Sequence, residues 1–375
     1  MSKSKIPQPL YVTRPSLPPL EELTPLLEEM WAKKTLTNNG PYHQEFEQKL
    51  CAFLGVKYIS LFTNGTIALI AALRALSVSG EVITTPYSFV ATAHSLLWNG
   101  ITPVFVDIAG SSFNIDANKI RAAITPDTTA ILPVHCYGGR CDVVAIQGLA
   151  EEFGLKVIYD AAHAFGVKDQ NGSILNYGDM SVLSFHATKV FNTFEGGAVI
   201  SSTEEQKRKI DHLKNFGFVD EVTVIEIGIN GKMSEFNSAV GLLQLNYFEQ
   251  EVDSRKRLDA NYRELLSDLE GIEIPGLLPE NMSNYSYFPI LINDDYLFNR
   301  DEIYDKLQKE NIFARRYFYP LISNFPMYEN LDSASKDNLP DANRVANKVI
   351  CLPLYGQLKF EEQQYIASIL RGEEP

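Results

Sequence analysis

The sequence predicts an α/β fold with a mostly parallel central sheet, followed by a smaller C-terminal α+β domain. Seven short apolar runs occur between residues 58 and 201, and most are separated by segments whose apolar residues keep helical spacing. The runs are continuously apolar rather than alternating, which is typical of strands buried on both faces of a parallel sheet. Strands that alternate with helices indicate crossover connections, with helices covering the sheet.

Polar residues lie at or just after the ends of the predicted strands of this sheet. The strands are Tyr58–Phe62, Glu81–Thr85, Pro103–Asp107, Ala130–His135, Lys156–Asp160, Ser181–Phe185 and Ala198–Ser201. Helical spacing predicts Thr66–Leu76, Ser88–Asn99 and Val143–Glu152 between them. Ligands of open α/β sheets bind at the carboxyl ends of the strands, so the residues after each run are the candidates.

The flanking segments divide the chain into three predicted parts: an N-terminal arm over 1–17, a large domain over 18–249 and a small C-terminal domain over 250–375. The arm is rich in proline, and helices are predicted over Pro18–Lys33 and Gln44–Leu54, with a loop over 35–41 between them. A helical pattern over Ser234–Leu269 is long enough to bridge two domains. The predicted elements of the small domain are the strands Ser286–Ile292 and Ile350–Pro353 and the helix Arg300–Glu310.

Composition excludes several classes of protein. The chain has 375 residues, of which 45% are hydrophobic and 21% charged, which is typical of a globular protein rather than a disordered, collagenous or coiled-coil one. Its formal charge is −14, so we expect it to bind neither nucleic acid nor an anionic membrane surface, both of which require a basic face. A small phosphorylated ligand stays possible, because a few local donors suffice to bind it.

The cysteines and the termini indicate a cytoplasmic protein. Four scattered cysteines are too few for a disulfide scaffold, and no Cys or His pair completes a zinc set of ordinary spacing, so no metal is predicted. The proline-rich start lacks the apolar core of a signal peptide. No apolar stretch is long enough to span a membrane.

The segment Asn64-Gly65-Thr66 follows the first predicted strand and precedes a helix. A Gly-Thr turn at a helix N-terminus offers unpaired N–H groups, a hydroxyl and the positive end of the helix dipole, all of which favour a phosphate. Taken alone, the segment is better explained by Thr66 simply capping the helix.

Two charged side chains follow other strands of the sheet. Asp160 ends a buried strand, which costs free energy unless a cation or a donor faces the carboxylate, although a neighbouring loop could provide that donor. Lys189 follows the strand that carries Ser184, and a lysine there can form a Schiff base if burial lowers its pKa, although taken singly it could be a surface residue. Together with the turn Asn64-Gly65-Thr66, these residues are the groups that bind pyridoxal 5′-phosphate: a phosphate anchor, a partner for the ring nitrogen and an imine-forming amine.

The chain also resembles the DegT/DnrJ/EryC1/StrS family of pyridoxal-phosphate sugar aminotransferases over nearly its whole length. The resemblance depends on many motifs in the family's order. They are Leu36–Gln44 (Leu-Thr-Asn-Asn-Gly-Pro-Tyr-His-Gln), Asn64–Thr66, Pro86–Thr92 (Pro-Tyr-Ser-Phe-Val-Ala-Thr), Pro103–Asp107, Pro133–Gly138, Asp160–Ala164 (Asp-Ala-Ala-His-Ala), Ser184–Lys189 (Ser-Phe-His-Ala-Thr-Lys) and Glu195–Ala198. It implies the type I, aspartate aminotransferase-like fold.

The resemblance implies specific roles for residues at matching positions. Lys189 would form the covalent link to the cofactor and shuttle the proton, and Asp160 would pair with the pyridinium nitrogen. Gly65, Thr66 and Ser184 would bind the cofactor phosphate, while Phe89 and Ala162 would pack on opposite faces of the ring. Because Lys189 stands where some relatives that dehydrate sugars have His, the resemblance implies transamination.

Two positions depart from the family pattern. His163 stands where members usually have Gln beside the ring hydroxyl, and since His can also donate there, we expect an altered absorption spectrum rather than lost activity. Asn230 matches an Asn that reaches the phosphate from the neighbouring subunit, which implies a homodimer with shared active sites. Lys232, two residues after Asn230, stands where the family more often has Arg, and we expect it to take the role of that Arg.

The implied substrates are L-glutamate and a nucleotide-linked 4-keto-6-deoxyhexose, used for O-antigen or another glycan. The segment 10–20 and the Asn230-Gly-Lys-Met variant look most like members that make dTDP-4-amino-4,6-dideoxyglucose. Arg315, Arg316, Tyr317 and Tyr319 are candidates for the sugar diphosphate, although a solvated basic turn explains them equally well. A 3-keto sugar aminotransferase and a non-catalytic, cofactor-binding regulatory protein are the alternatives.

Overall fold

The computed structural model describes residues 6, 8–110, 112–276 and 282–373. Residues 1–5 and 7 of the predicted arm lie outside the described residues. The α-helices of the described chain span Leu20–Lys33, Pro41–Leu54, Gly65–Ala75, Ala91–Trp98, Ala117–Ile120, Val143–Phe153, Glu204–Leu213, Glu235–Leu265, Arg300–Lys309, Pro340–Lys348 and Phe360–Arg371.

A seven-stranded sheet forms the centre of the larger part of the chain, which confirms the predicted α/β class. In spatial order its strands are Tyr58–Phe62, Gly197–Ser201, Met180–Ser184, Lys156–Asp160, Thr128–Leu132, Glu81–Thr84 and Thr102–Phe105. Gly197–Ser201 is antiparallel to both of its neighbours, and the remaining pairs are parallel. Apolar content alone could not reveal this reversed strand, because burial on both faces gives the same continuous pattern in either direction.

Both faces of the sheet are buried. Val182 and Leu183 are neighbours on one strand and point to opposite faces, yet they are 1% and 0% exposed. Leu183 packs with Phe46 and Leu50 of the helix Pro41–Leu54, whereas Val182 packs with Leu69 of the helix Gly65–Ala75. The strands therefore read as continuous apolar runs because each layer of helices covers one set of their side chains.

The helix that was predicted from Gln44 begins three residues earlier, at Pro41. Proline suits this first position because the N–H that it lacks would have no partner inside the helix. The next two N–H groups, of Tyr42 and His43, each donate across 2.9 Å to the buried carboxylate of Glu235. A side chain far away in sequence thus caps the helix, and the local pattern could not reveal it.

The helix Glu235–Leu265 connects the two parts of the chain. Its N-cap is Ser234, whose hydroxyl accepts from the N–H of Asn237. Near its start it packs against Pro41–Leu54, and near its end the ring of Tyr262 lies against that of Phe288, tilted by 30° and with ring centroids 4.8 Å apart. The predicted domain boundary at 249/250 lies inside this continuous helix, so the division into two domains stays a prediction.

A three-stranded sheet lies in the C-terminal part, in the order Ile272–Glu273, Phe288–Ile292 and Val349–Leu352, and all its pairs are antiparallel. The remaining short strands are Leu10–Tyr11, Lys168–Asp169, Gly172–Ser173 and Ile312–Phe313. Leu10–Tyr11 pairs in parallel with Ile312–Phe313, so part of the predicted arm is a strand. The arm then continues to Ser16, whose carbonyl accepts from the side chains of Asn192 and Gln244.

Candidate active site

A cavity of about 250 Å³ lies where the strands Lys156–Asp160 and Met180–Ser184 end, at the edge of the sheet that the sequence predicted. The cavity brings together nine of the predicted site residues: Gly65, Thr66, Phe89, Asp160, Ala162, His163, Ser184, Lys189 and Tyr317. It does not include Asn230, Lys232, Arg315, Arg316 or Tyr319 among its lining residues.

The turn at one end of the cavity is capped by Asn64 rather than by Thr66. The backbone of Asn64 is extended, and its side chain accepts from the N–H of Ile67 across 2.9 Å. The first N–H groups of the helix that begins at Gly65 have no acceptor within the helix, and the positive end of its dipole points the same way. With Ser184 beside it, this turn can bind a phosphate.

Gly197 determines how closely the turn approaches the sheet. It lies opposite both Phe62 and Ser184 in the sheet register. A Cβ atom at Gly197 would lie 2.7 Å from the backbone of Asn64 and Gly65, so only glycine leaves room for the chain to pass there. Gly65 in turn lies against Ser184, because its own Cβ would be 3.0 Å from that of Ser184. The two glycines bring the turn and the Ser184 hydroxyl together.

Asp160 lies at the bottom of the cavity and is 5% exposed. One carboxylate oxygen accepts from the N–H of Ala162 across 3.1 Å, and the other accepts from the hydroxyl of Thr92 across 2.8 Å. Burial raises the pKa of Asp160, while these two donors and the nearby Lys189 lower it. A buried carboxylate with unused acceptor capacity is suited to a cationic N–H partner.

Lys189 lies in the loop after the strand Met180–Ser184, and its N–H donates to the carbonyl of His186 across 2.9 Å. Burial lowers the pKa of Lys189 to about 8, although the carboxylate of Asp160 opposes this shift. An amine with this pKa is partly neutral near pH 8, and the neutral form is the nucleophile. Lys189 is therefore chemically prepared to react with a carbonyl carbon.

His163 is buried and neutral. Its Nδ1 accepts from the N–H of Tyr137 across 3.2 Å, so in the neutral ring the proton is on Nε2. Burial, and then the charge of Lys189, keep the pKa of His163 well below its ordinary value. The sequence predicted that His163 donates a hydrogen bond into the cavity. The hydrogen bond from the N–H of Tyr137 leaves Nε2 as the donor atom of the ring.

The predicted C-terminal candidates separate in the structure. Tyr317 lines the cavity, whereas the guanidinium of Arg316 lies 2.8 Å from Asp301 and above the ring of Tyr304. Tyr319 lies outside the cavity under Arg300, with 4.4 Å between the ring centroid and the guanidinium carbon. Arg315 is exposed, and its backbone pairs with Cys351.

Asn230 and Lys232 lie away from the cavity of their own chain. Asn230 is exposed, and its backbone pairs with Asn215. The ammonium of Lys232 donates to the side chain of Asn215 across 2.7 Å and lies 5.0 Å from the ring centroid of Phe216. Lys232 lines a separate cleft of about 820 Å³ instead.

Five functional candidates were not singled out from the sequence. Thr92 donates to Asp160, and Tyr287, Phe318, His186 and Glu195 line the cavity. Thr92, His186 and Glu195 belong to motifs that were recognised as whole segments, so the motifs contained the signal for them. Tyr287 and Phe318 come from the C-terminal part, where no local pattern connects them to the strand ends.

No group of three or more His, Cys, Asp or Glu side chains in the described ranges could hold a metal ion. Within the same ranges no helix combines the length and the apolar character needed to cross a membrane.

Comparison with known proteins gives consistent matches. The DegT/DnrJ/EryC1/StrS aminotransferase family matches residues 20–371. A dTDP-4-amino-4,6-dideoxy-D-glucose transaminase of Shigella dysenteriae is 56% identical over 97% of this chain and 99% of its own length. An enzyme of the same name from Escherichia coli is 58% identical over 96% and 98%. The crystal structure of DesI in the presence of its TDP-sugar product is similar with a TM-score of 0.93 at 34% identity, covering 98% of this chain and 93% of DesI.

Proposed function

Because this chain belongs to the DegT/DnrJ/EryC1/StrS aminotransferase family, we propose that it transfers the amino group of L-glutamate to dTDP-4-keto-6-deoxy-D-glucose. The product is dTDP-4-amino-4,6-dideoxy-D-glucose, for O-antigen or another glycan. The observation that carries the sugar assignment is the identity of 56–58%, over nearly the whole chain, to two transaminases named for this product.

The cavity has the donors and acceptors that pyridoxal 5′-phosphate, the cofactor of this family, requires. The N-terminus of the helix Gly65–Ala75 and the hydroxyl of Ser184 would bind the phosphate. Asp160 would pair with the ring nitrogen, since its carboxylate is buried and both of its hydrogen-bond donors, the N–H of Ala162 and the hydroxyl of Thr92, are neutral. When bound, the cofactor supplies a ring that accepts electrons from the substrate carbon.

The residues of the chain supply the proton transfers. Lys189 is the residue that would hold the cofactor covalently, because its amine is buried in the cavity and can be neutral. Its amine, with the lowered pKa, would act as the base that takes the proton from the substrate carbon and as the acid that delivers the same proton to the carbon of the cofactor to which the amino group is bound. Asp160 would keep the ring nitrogen protonated, and Phe89 and Ala162 would pack on the two faces of the ring.

We place Asn230 and Lys232 in the active site of a second copy. Both lie outside the cavity of their own chain, and the segment before them exposes apolar side chains that a partner would cover. Val222 is 85% exposed and Ile227 is 80% exposed. Such a run of exposed β-branched residues is typical of an interface. The homodimer with shared sites would thus give the anionic substrate a second cation, Lys232, beside the Lys189 that already lines the cavity.

A cytoplasmic location agrees with the thiols. Cys51, Cys136, Cys141 and Cys351 are all free, and three of them are buried. Free cysteines are typical of proteins that stay in a reducing compartment. Both proposed substrates also carry phosphate or carboxylate charges and do not cross membranes unaided.

A product assay separates the proposed function from its nearest alternative. The holoenzyme is given L-glutamate together with either the 3-keto or the 4-keto dTDP-6-deoxyhexose, and the position of the new amine is found by NMR. Amination at C4 alone supports the proposal. Amination at C3 would establish the 3-keto alternative, and no turnover of either sugar, with the cofactor bound, would favour a non-catalytic protein.

A further inference from the structure

We propose that Thr92 is a positioning residue that, with Ser88 behind it, controls how strongly Asp160 holds the cofactor's ring proton. The inference depends on the proposed pairing of Asp160 with the ring nitrogen. The oxygen of Thr92 lies 2.8 Å from a carboxylate oxygen of Asp160 and 2.7 Å from the hydroxyl oxygen of Ser88. Ser88, Thr92 and Asp160 are 5%, 0% and 5% exposed, so water does not compete for these contacts.

The direction of each hydrogen bond follows from counting protons. An ionised carboxylate only accepts, so the single hydroxyl proton of Thr92 goes to Asp160. The oxygen of Thr92 can then only accept, and the hydroxyl of Ser88 must donate to it. The contacts form one directed chain from Ser88 through Thr92 to Asp160. Hydrogen bonds aligned in this way polarise one another and strengthen the last one.

The backbone keeps Thr92 in place independently of the cofactor. Its N–H donates to the carbonyl of Phe89, and its own carbonyl accepts from the hydroxyl of Ser95. Ser88 and Phe89 belong to the same turn, and Phe89 lines the cavity. The turn that brings Phe89 to the cavity therefore also carries Ser88, and Thr92 follows it in the first turn of the helix Ala91–Trp98.

The chain of donors stabilises the ionised form of Asp160. If the hydroxyl of Thr92 is removed, the carboxylate becomes more basic, because burial then opposes its charge with one donor fewer. The proton shared with the ring nitrogen moves toward Asp160, and the ring becomes a weaker electron acceptor. We expect proton transfer at the substrate carbon to slow while substrate binding stays the same.

The test compares Thr92→Val, which keeps the shape and removes the hydroxyl, with Thr92→Ser, which keeps the hydroxyl. We expect Thr92→Val to lower kcat about 10- to 100-fold with KM for both substrates changed less than about 3-fold, since hydrogen bonds to charged groups are worth that much. Thr92→Ser should restore kcat to within about 3-fold of the parent, and Ser88→Ala should lower it less than Thr92→Val does.

A second readout does not depend on turnover. The holoproteins are prepared with cofactor labelled with ¹⁵N in the ring, and the solid-state ¹⁵N shift reports whether that nitrogen is protonated. We expect the shift to move toward the neutral value in Thr92→Val and to stay at the parent value in Thr92→Ser. If Thr92→Val does not fold, Ser88→Ala decides: a shift in the same direction supports the inference, and an unchanged shift overturns it.

Asp160→Asn separates this inference from the function on which it depends. If Asp160→Asn moves the ¹⁵N shift and Thr92→Val does not, Asp160 pairs with the ring but Thr92 does not control it. If neither variant moves the shift, the proposed place of Asp160 is itself wrong. Equal losses of kcat in Thr92→Val and Thr92→Ser would mean that Thr92 only fills space.

Discussion

The hydroxyl of Tyr87 donates across 2.8 Å to the backbone carbonyl oxygen of Tyr317 and so joins two walls of the cavity. Tyr87 precedes the turn that carries Phe89, and Tyr317 belongs to the C-terminal part of the chain. The hydroxyl of Tyr137 donates to the same carbonyl and lies 2.7 Å from the hydroxyl of Tyr87. Tyr137 also gives its N–H to His163, so a single junction holds three walls of the site.

The first prediction is that the two hydroxyls of this junction substitute for each other. Either Tyr87→Phe or Tyr137→Phe leaves one donor for the Tyr317 carbonyl, so each should cost less than about 1 kcal/mol of unfolding free energy. The double variant leaves a buried carbonyl without a donor, which should add about 1–3 kcal/mol beyond the sum and raise KM for the nucleotide sugar. Urea unfolding and initial rates measure both effects.

Tyr328→Phe is the matched control for that cycle. Tyr328 is fully buried, and its hydroxyl bonds to Nδ1 of His94 rather than to the junction. Its effect should add to that of Tyr87→Phe within about 0.5 kcal/mol. An additive Tyr87/Tyr137 pair would show that the carbonyl does not depend on the two hydroxyls together.

The second prediction concerns the close approach at Gly197. Gly197→Ala places a methyl group 2.7 Å from the backbone of Asn64 and Gly65, so the phosphate turn must move away from Ser184. We expect the affinity of the apoprotein for pyridoxal 5′-phosphate to fall at least about 10-fold, which corresponds to about 1.4 kcal/mol. Fluorescence titration with the cofactor measures this affinity.

Gly148→Ala provides the comparison. Nothing lies within 4 Å of the position where its Cβ would be, and Gly148 is inside the helix Val143–Phe153. Alanine there should leave cofactor affinity unchanged and stabilise the fold by about 1 kcal/mol, because glycine is the poorer helix former. If both variants bind the cofactor like the parent, the turn is not the phosphate site.

The third prediction concerns acid lability. Burial lowers the pKa of His43 to about 4 and that of His135 to about 3, and it lowers the pKa of His163 as well. The unfolded chain takes up protons at these residues near 6.5 while the folded chain does not, so stability is lost as the pH falls below about 6.5. Each buried histidine should cost about 2 kcal/mol between pH 7 and pH 5, as urea unfolding of the apoprotein can show.

The slope of stability against pH identifies the residues responsible. His135→Gln should reduce the loss of unfolding free energy between pH 7 and pH 5 by the contribution of one histidine, about 2 kcal/mol. An unaltered slope in His135→Gln would mean that this histidine is protonated in the folded protein.

The fourth prediction concerns pH and the reaction of Lys189 with the cofactor. Because its pKa is lowered to about 8, the neutral fraction of the amine increases steeply as the pH rises toward 8 and levels off only above pH 9. The rate at which the apoprotein binds pyridoxal 5′-phosphate covalently should rise about 10-fold per pH unit below pH 7 and become constant above pH 9. A rate that still rises between pH 9 and pH 10 would show that burial does not lower this pKa.

The sequence was sufficient for the central sheet and for the residues at its strand ends. Asp160 and Ser184 lie at the ends of continuous apolar runs and Lys189 follows one, and the carboxyl ends of parallel strands meet at one edge whatever the details of packing. The reversed strand Gly197–Ser201 and the early start of the helix at Pro41 were missed. The first has the same apolar pattern in either direction, and the second depends on a cap from Glu235.

The contacts that connect distant segments could not be predicted from the sequence. Thr92 reaches Asp160 across 68 positions, and Tyr87 reaches Tyr317 across 230. Neither pair leaves a periodic signal, because hydroxyls and carbonyls occur throughout a chain. Arg316 and Tyr319 show the opposite case, since a cluster of basic and aromatic residues predicted a substrate contact and the structure places both side chains outside the cavity.

The most direct test of the whole account follows the absorbance of the cofactor in the purified holoprotein through the two half-reactions, one after the other. L-Glutamate alone should remove the absorbance of the lysine-bound cofactor at a saturable rate, and the 4-keto dTDP-sugar should then restore it, with the amine appearing at C4 of the sugar. Lys189→Ala should do neither, at any pH between 7 and 9. A Lys189→Ala protein that completed both halves at the parent rate would contradict the central claim.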